Sequence, residues 1–157
     1  MRRILVAVDG TRASSAAAGL ALEYAARLGA RVTFLHVLPE PVSGQTGEAP
    51  DFAAFEHACE EYARQLVGEA ARLGGAVGPR TDTAVAYGEP AQAILTAAEA
   101  EDVDLVILGS RDRSPLARTL LGSVSAELTA RCPKPVMVVP ERGPSASSEP
   151  ASSPGIR

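Results

Sequence analysis

The chain opens on a short apolar run that ends in a carboxylate, a glycine and a threonine: Ile4-Leu5-Val6-Ala7-Val8-Asp9-Gly10-Thr11. An unbroken apolar run of this length is typical of a strand in a parallel sheet that is covered on both faces. Thr11 comes directly before a helical pattern and is a predicted N-cap. The stretch therefore predicts a buried strand that turns quickly into a helix.

The same pattern recurs along the chain. Four more apolar runs follow, at residues 32–38, 81–86, 105–108 and 136–139, and the run at residues 81–86 is weaker and partly alternating. Helical periodicity separates the runs, over residues 13–28, 51–73, 89–100 and 123–131. A strict alternation of strand and helix predicts an α/β fold, a doubly wound five-stranded parallel sheet with helices on both faces.

Two of these helices show an apolar stripe. In the first helix the stripe comprises Ala13, Ala17, Leu20, Tyr24 and Leu28, and Gly29 would end this helix. In the second helix the stripe comprises Phe52, Phe55, Cys59, Tyr62, Leu66 and Leu73. The 157 residues fit one domain, which we place at residues 1–142. Residues 143–157 are rich in Ser, Pro and Gly, and we expect a disordered C-terminal tail there.

Composition excludes several classes of protein. With 15 basic and 19 acidic residues the net charge is −4, which argues against a nucleic-acid binder with a basic surface. Cys59 and Cys132 have no metal-ligand spacing and are expected to be reduced thiols. The first apolar run is too short for a signal peptide, and no run approaches the ~20 residues of a membrane span. We therefore expect a cytoplasmic protein with no membrane partner.

The loop after the fourth strand is the strongest candidate for a binding site. Ligands of open parallel sheets bind beyond the carboxyl ends of the strands. Gly109 begins this loop, and Gly122-Ser123 begins the next helix, where free amides and the helix dipole attract phosphate. Residues 109–123 carry three Arg and one Asp, in a chain that is acidic as a whole. Loops of this composition also occur in α/β domains that bind nothing there, so composition alone leaves both possibilities open.

Five segments in this order resemble the universal stress protein family, over about Arg2 to Pro140. They are Ile4 to Thr11, Phe34-Leu35-His36-Val37, Tyr87-Gly88-Glu89-Pro90, the Gly109 loop ending in Leu121-Gly122-Ser123-Val124-Ser125, and Cys132-Pro133-Lys134-Pro135-Val136. The resemblance implies a Rossmann-like, adenine-nucleotide-binding fold that is commonly a homodimer. It implies a stress-response protein that holds ATP, with or without Mg²⁺, as a regulatory ligand.

The resemblance also implies the residues of the site. Asp9 would face the ribose or the adenine edge, and Val37 would offer backbone polar groups to the adenine. The phosphates would lie against the loop and the following helix, at Gly109, Arg111, Asp112, Gly122, Ser123, Val124 and Ser125. Read from the residues alone, Asp9 also fits a cap of the following helix, and Val37 fits ordinary core.

Asp112 departs from the pattern of the family members that bind ATP. Their pattern is Gly-x-x-Gly, nine residues, then Gly-Ser or Gly-Thr, and Asp112 stands at the second glycine. A carboxylate about 4 Å from a phosphate costs roughly 1 kcal/mol in water and about 4 kcal/mol at an effective dielectric near 20. Asp112 could instead ligate Mg²⁺ or pair with a neighbouring arginine in an empty loop. The alternative function is a nucleotide-free dimeric interaction module whose loop is blocked by Asp112.

No motif for catalysis accompanies this loop. A P-loop and a GxGxxG fingerprint are both absent, and no nucleophile motif lies near the two histidines, His36 and His57. We expect His36 to be a structural hydrogen-bonding group and His57 to be solvated. A phospho-receiver domain is excluded, because it needs an acidic pair after the first strand and an Asp after the third. The sequence predicts no catalytic residue and no metal cluster, and hence no enzyme.

The fifth apolar run indicates how the chain would assemble. In a doubly wound sheet the strand at residues 136–139 lies at an edge, and an exposed apolar edge must be paired or covered. Pairing this strand across a twofold axis predicts a homodimer. The alternative is a monomer whose edge is protected by Pro133, Pro135 and Pro140 alone.

Overall fold

The computed structural model describes residues 1–40, 52–72, 78–110 and 122–141. Strands and helices alternate as predicted: β1 (Arg3–Ala7), α1 (Arg12–Leu28), β2 (Arg31–Leu38), α2 (Phe52–Arg72), β3 (Thr81–Tyr87), α3 (Pro90–Ala98), β4 (Val103–Ser110), α4 (Ser123–Arg131) and β5 (Val136–Pro140). The predicted tail at residues 143–157 lies outside the described residues.

The five strands form one parallel sheet in the order β3-β2-β1-β4-β5. β1 is central, with Ala7 paired to Leu35 of β2 on one side and to Leu108 of β4 on the other. The chain winds outward from β1 to β3 and then returns to β4, so the strand order reverses between β1 and β4. This is the doubly wound fold that the sequence predicts, and β5 lies at an edge as expected.

Helices cover both faces of the sheet and divide the core into two layers. In one layer α1 and α2 pack on the face that carries Ile4, Val6 and Phe34, all of which are fully buried. In the other layer α3 and α4 pack on the face that carries Leu5 and Leu35. The sheet is therefore apolar on both sides, which explains why its strands read as nearly continuous apolar runs.

Two expectations about the helix faces are wrong. Leu28 of α1 is 52% exposed, and Tyr62 of α2 is 56% exposed. The sheet-facing side of α1 is built from small residues, among them Ala17 of the predicted stripe and Ala21, and in α2 Ala63 and Val67 are buried. Alanine lets a helix backbone approach the sheet closely, so the large side chains are displaced to the flanks.

The predicted boundaries of α1 are confirmed. The Thr11 hydroxyl accepts a hydrogen bond from the Ser14 amide at 3.2 Å, which caps the first turn. Gly29 ends the helix with φ = 64°, a left-handed conformation that favours glycine.

Within the ranges that the structure describes, no helix is both long enough and apolar enough to cross a membrane.

At the carboxyl edge of the sheet, a hydrogen bond ties α2 to the end of β3. The Tyr87 hydroxyl donates to the Glu60 carboxylate. This hydrogen bond, together with one from Arg64, lowers the pKa of Glu60 below its usual value. Tyr87 belongs to the Tyr87-Gly88-Glu89-Pro90 segment, and part of its role is therefore to hold α2 beside the carboxyl edge of the sheet.

Gly109 allows α1 to pack directly on β4. A Cβ atom at this position would lie 2.4 Å from the carbonyl carbon of Ala13 and 2.5 Å from the amide nitrogen of Ser14. Both atoms belong to the helix backbone and cannot move aside as a flexible side chain would. The missing side chain of Gly109 thus makes room for the first turn of α1, and this role is additional to the close approach of a ligand that the sequence suggested.

Replacing Gly109 with alanine should destabilise the fold. Gly109→Ala forces a methyl group against helix backbone, and overpacking of this kind costs about 1–3 kcal/mol or more in the free energy of unfolding. Gly19→Ala is the matched control, because a Cβ at Gly19 in α1 meets nothing within 4 Å. That control should stabilise the protein by about 0.5–1 kcal/mol. Urea unfolding followed by circular dichroism measures both changes, and equal stabilities for Gly109→Ala and wild type would contradict the packing described here.

Candidate functional site

A cavity of about 590 Å³ opens at the carboxyl edge of the sheet, where the strand order reverses. The described residues that line the cavity contribute mainly apolar side chains and main-chain atoms. The remaining groups are hydroxyls, one imidazole and one carboxylate. The lining residues are Ala7, Val8, Asp9, Ser14, Leu35, His36, Val37, Pro90, Ile94, Leu108, Gly109, Gly122, Ser123, Val124 and Ser125. This location is where ligands bind in open parallel sheets.

The cavity gathers seven of the nine candidate site residues named from the sequence. Asp9, Val37 and Gly109 come from three strand ends, and residues 122–125 come from the start of α4. Arg111 and Asp112 lie outside the described residues. Neighbours that the sequence analysis did not place at the site include Ser14, Pro90 and Ile94. Pro90 could have been found, because it belongs to the Tyr87-Gly88-Glu89-Pro90 segment that follows the third strand.

Asp9 shapes the loop that crosses one side of the cavity. Its Oδ1 accepts hydrogen bonds from the Thr11 hydroxyl at 2.6 Å and from the Thr11 amide at 3.1 Å. Gly10 between them has φ = 79°, which favours glycine. Thr11 is the residue that caps α1, and Asp9 orients this cap from the preceding turn. Asp9 therefore supports the cap of α1 through Thr11 and does not form the cap itself. Its exposed carboxyl also lines the cavity.

The first turn of α4 faces the cavity without a side-chain cap. Gly122 is its N-cap residue, and no side chain within the described ranges bonds to the amides of that turn. By contrast, Thr11 caps α1, and the Glu89 carboxylate caps α3 by accepting from the Gln92 amide at 2.8 Å. Unpaired amides at a helix start are donors that the helix dipole makes attractive to anions. Of the three helix starts, α4 is the one suited to hold a phosphate group.

Hydroxyl groups surround this helix start. Ser123 is exposed at its first position, whereas Ser125 is 2% exposed and donates to the Gly122 carbonyl at 2.9 Å. The bond from Ser125 fixes the N-cap residue in place. Ser123 therefore presents both an amide and a hydroxyl toward the cavity, and Ser125 serves mainly to hold the turn.

Val37 combines the two roles that the sequence left open. Its side chain is half-buried and packs on the core layer formed with α3 and α4. Its main chain lines the cavity, because β2 extends beyond the last paired residue of β1. A strand that outruns its neighbour leaves backbone donors and acceptors without partners in the sheet, and these are suited to recognise a planar heterocycle.

His36 is a hydrogen-bonding group at the same edge, as predicted. Its Nδ1 lies 2.6 Å from the Val8 carbonyl oxygen, and its ring makes an edge-on contact with Tyr62. His57 is exposed, as the sequence suggested. In the part of the chain that the structure describes, no group of three or more His, Cys, Asp and Glu side chains could hold a metal ion. Cys132, a free thiol, is half-buried at the end of α4.

Several known proteins resemble this chain in sequence and in fold. A model of the universal stress protein family matches residues 1–140. A universal stress protein of Thermus aquaticus is 37% identical over 141 residues, which cover 88% of this chain and 98% of the relative. The solved structure of the universal stress protein UspA from Lactobacillus plantarum superposes with a TM-score of 0.74 at 25% identity, covering 88% of this chain and 97% of that one.

Some structural neighbours were solved with adenine nucleotides. A universal stress protein family member of Arabidopsis thaliana has AMP bound; it shares 20% identity and a TM-score of 0.70, with 98% of this chain and all of that chain covered (100%). Two other universal stress protein structures are complexes with cAMP and, in the case of Archaeoglobus fulgidus, with dAMP. At these identities the likeness to this chain is one of fold.

Proposed function

The chain belongs to the universal stress protein family, and from this premise we propose that it binds an adenine nucleotide, ATP, as a regulatory ligand in the cavity at the carboxyl edge of the sheet. Binding would occur with or without Mg²⁺ and without efficient turnover. We propose further that this stress-response protein acts in the cytoplasm as a homodimer.

The uncapped start of α4 is the observation that carries the proposal. Helix α4 is nine residues long, and the amides of its first turn face a cavity that is otherwise mainly apolar. An anion at such a helix start gains several charge-assisted hydrogen bonds together with the favourable dipole. The phosphates would lie against Gly122, Ser123 and Val124. The mainly apolar remainder of the cavity then suits an adenine base.

The far side of the same cavity supports a nucleoside. The backbone of Val37 supplies a donor and an acceptor, and the exposed carboxyl of Asp9 lies beside them on the neighbouring strand end. Leu108 and Ile94 provide apolar surface between the two ends. Structural neighbours of the same fold hold AMP, cAMP and dAMP, which makes adenine the expected base.

The titratable groups of the cavity support binding without turnover. Asp9 is hydrogen-bonded to Thr11, and His36 is hydrogen-bonded to the Val8 carbonyl. Both side chains therefore have a structural role at the edge of the cavity, and we propose that neither of them acts as a general base. The contrasting proposal is a nucleotide-free interaction module in which Asp112 blocks the loop, and the two can be separated by experiment.

Purified protein should carry or accept adenine nucleotide. We expect adenine nucleotide in mass spectra of the denatured protein, and a rise in melting temperature with ATP and Mg²⁺. Saturation at 100 times the dissociation constant stabilises the native state by about 2.7 kcal/mol. Val124→Pro removes one first-turn amide at a position where a helix tolerates proline, and it should weaken the effect. Absence of both nucleotide and thermal shift would favour the interaction module, and rapid ATP hydrolysis would contradict a regulatory role.

Asp112 can be tested directly, although it lies outside the described residues. If its charge opposes the phosphates, Asp112→Gly should tighten ATP binding by about 1–3 kcal/mol. Isothermal titration calorimetry with and without Mg²⁺ measures this change. Unchanged affinity, or a loss of affinity seen only with Mg²⁺, would show that the carboxylate does not oppose the ligand.

The edge strand β5 supports the homodimer. Val136, Met137, Val138 and Val139 are all only half-buried, although they are apolar. Lysine at an edge strand prevents strand pairing between molecules. Val138→Lys should therefore shift the protein to a monomer in sedimentation velocity, whereas Thr83→Lys on the opposite edge strand, β3, should leave the dimer intact. A wild-type monomer at tens of micromolar would contradict the assembly proposed here.

A further inference from the structure

The hydrogen-bond ladder between β1 and β2 stops at a definite residue. The Val8 amide donates to the Leu35 carbonyl at 2.9 Å, and this is the last described backbone bond between the two strands. On the other side of β2, the Gly88 amide donates to the Leu38 carbonyl at 2.9 Å. Successive residues of a strand direct their backbone groups to opposite neighbours. The amide and the carbonyl of Val37 therefore both point to the β1 side, beyond the end of the ladder.

Continuing the ladder would occupy the Val37 amide. In a parallel pair, the bond after that from Val8 to Leu35 runs from the Val37 amide to the Val8 carbonyl. Within the described residues no such backbone bond forms. The Val8 carbonyl lies instead 2.6 Å from Nδ1 of His36. Because a carbonyl oxygen only accepts, Nδ1 must carry the proton and donate.

His36 thus bonds the carbonyl oxygen to which the Val37 amide would donate in a continued ladder. The imidazole is held by Tyr62, whose ring lies edge-on at a centroid distance of 6.4 Å and an interplanar angle of 81°. The Tyr62 hydroxyl in turn lies 3.1 Å from where a Cβ of Gly10 would be. The ring of His36 is therefore positioned by Tyr62 of α2, and Tyr62 itself lies against the loop that carries Asp9.

We propose that His36 is a positioning residue that sets the base specificity of the cavity, an inference that rests on the proposed function. By keeping the Val8 carbonyl out of the ladder, it leaves the Val37 amide as a donor beside the Val37 carbonyl as an acceptor. Adenine carries the complementary pair on one edge, an unprotonated N1 and the N6 amino group. Hypoxanthine carries a protonated N1 and a 6-oxo group at the same places, so both contacts would be mismatched. The geometry favours AMP over IMP.

Two substitutions separate this role from general stability. His36→Leu removes the donor, so the Val8 carbonyl should return to the ladder and bond the Val37 amide. His36→Asn keeps an N–H donor at about the place of Nδ1. We expect His36→Leu to bind AMP about tenfold more weakly and to lose the preference for AMP over IMP. His36→Asn should keep most of both, and calorimetry with AMP and with IMP measures them.

Amide hydrogen exchange of the ligand-free proteins gives an independent readout. The Val37 amide should exchange rapidly in wild type and in His36→Asn, and at least about tenfold more slowly in His36→Leu, where it gains a ladder bond. A loss of global stability would speed exchange, which is the opposite direction.

Each outcome decides the matter. If wild type binds AMP but His36→Leu binds it equally well with the same AMP-to-IMP ratio, the role of His36 is overturned and the nucleotide site stands. Equal losses in His36→Asn and His36→Leu would show that the bond to Val8 is not the cause. Slow exchange of the Val37 amide in ligand-free wild type overturns the inference without any nucleotide. Binding of neither AMP nor IMP by wild type would contradict the proposed function itself.

Discussion

The contact of the α1 backbone with Gly109 is the constraint on which the site depends. Ala13 and Ser14 lie where a side chain of residue 109 would be, so the first turn of α1 sits against the end of β4. The loop that carries Asp9 is the immediate entry to that turn, and its position follows from the contact. The loop after β1, which forms one wall of the cavity, is thereby held against β4. Packing of α1 at this edge needs a close backbone approach, which explains a glycine in a strand that otherwise consists mainly of large apolar residues.

Around that contact, the cavity walls differ in whether their backbone amides and carbonyls have hydrogen-bond partners. The starts of α1 and α3 receive side-chain caps from Thr11 and Glu89, whereas the start of α4 receives none within the described residues. At the opposite end of the cavity, Nδ1 of His36 is hydrogen-bonded to the Val8 carbonyl, and the backbone ladder between β1 and β2 stops there. Two places on the walls of one cavity thus present backbone groups without a partner among the described residues, and the proposed ligand would complete their hydrogen bonding.

The sequence predicted the architecture well because it rests on local patterns. Continuous apolar runs identified the strands of a doubly covered sheet, and Thr11 and Gly29 marked the ends of α1 correctly. The helix faces were less predictable: Leu28 and Tyr62 were expected to be buried, and both are more than half exposed. Large residues dominate a periodic pattern, but alanines form the contact when a helix packs closely on a sheet. That closeness is set by Gly109, which lies far away in the chain.

The site was predictable as far as its residues belong to strand ends and to the start of α4. Asp9, Val37 and residues 122–125 were placed by motif, and the structure brings them around one cavity. The bond from His36 to Val8 depends on how far β2 outruns β1, which register and not composition decides. In the proposed complex, an adenine nucleotide spans the cavity from Val37 to the start of α4. Titration of isotope-labelled protein with AMP, followed by backbone amide NMR signals, tests this arrangement. The amides of Val37, Ser123 and Val124 should shift together and saturably, and unchanged signals at these three residues under saturating AMP would show that the nucleotide does not bind there.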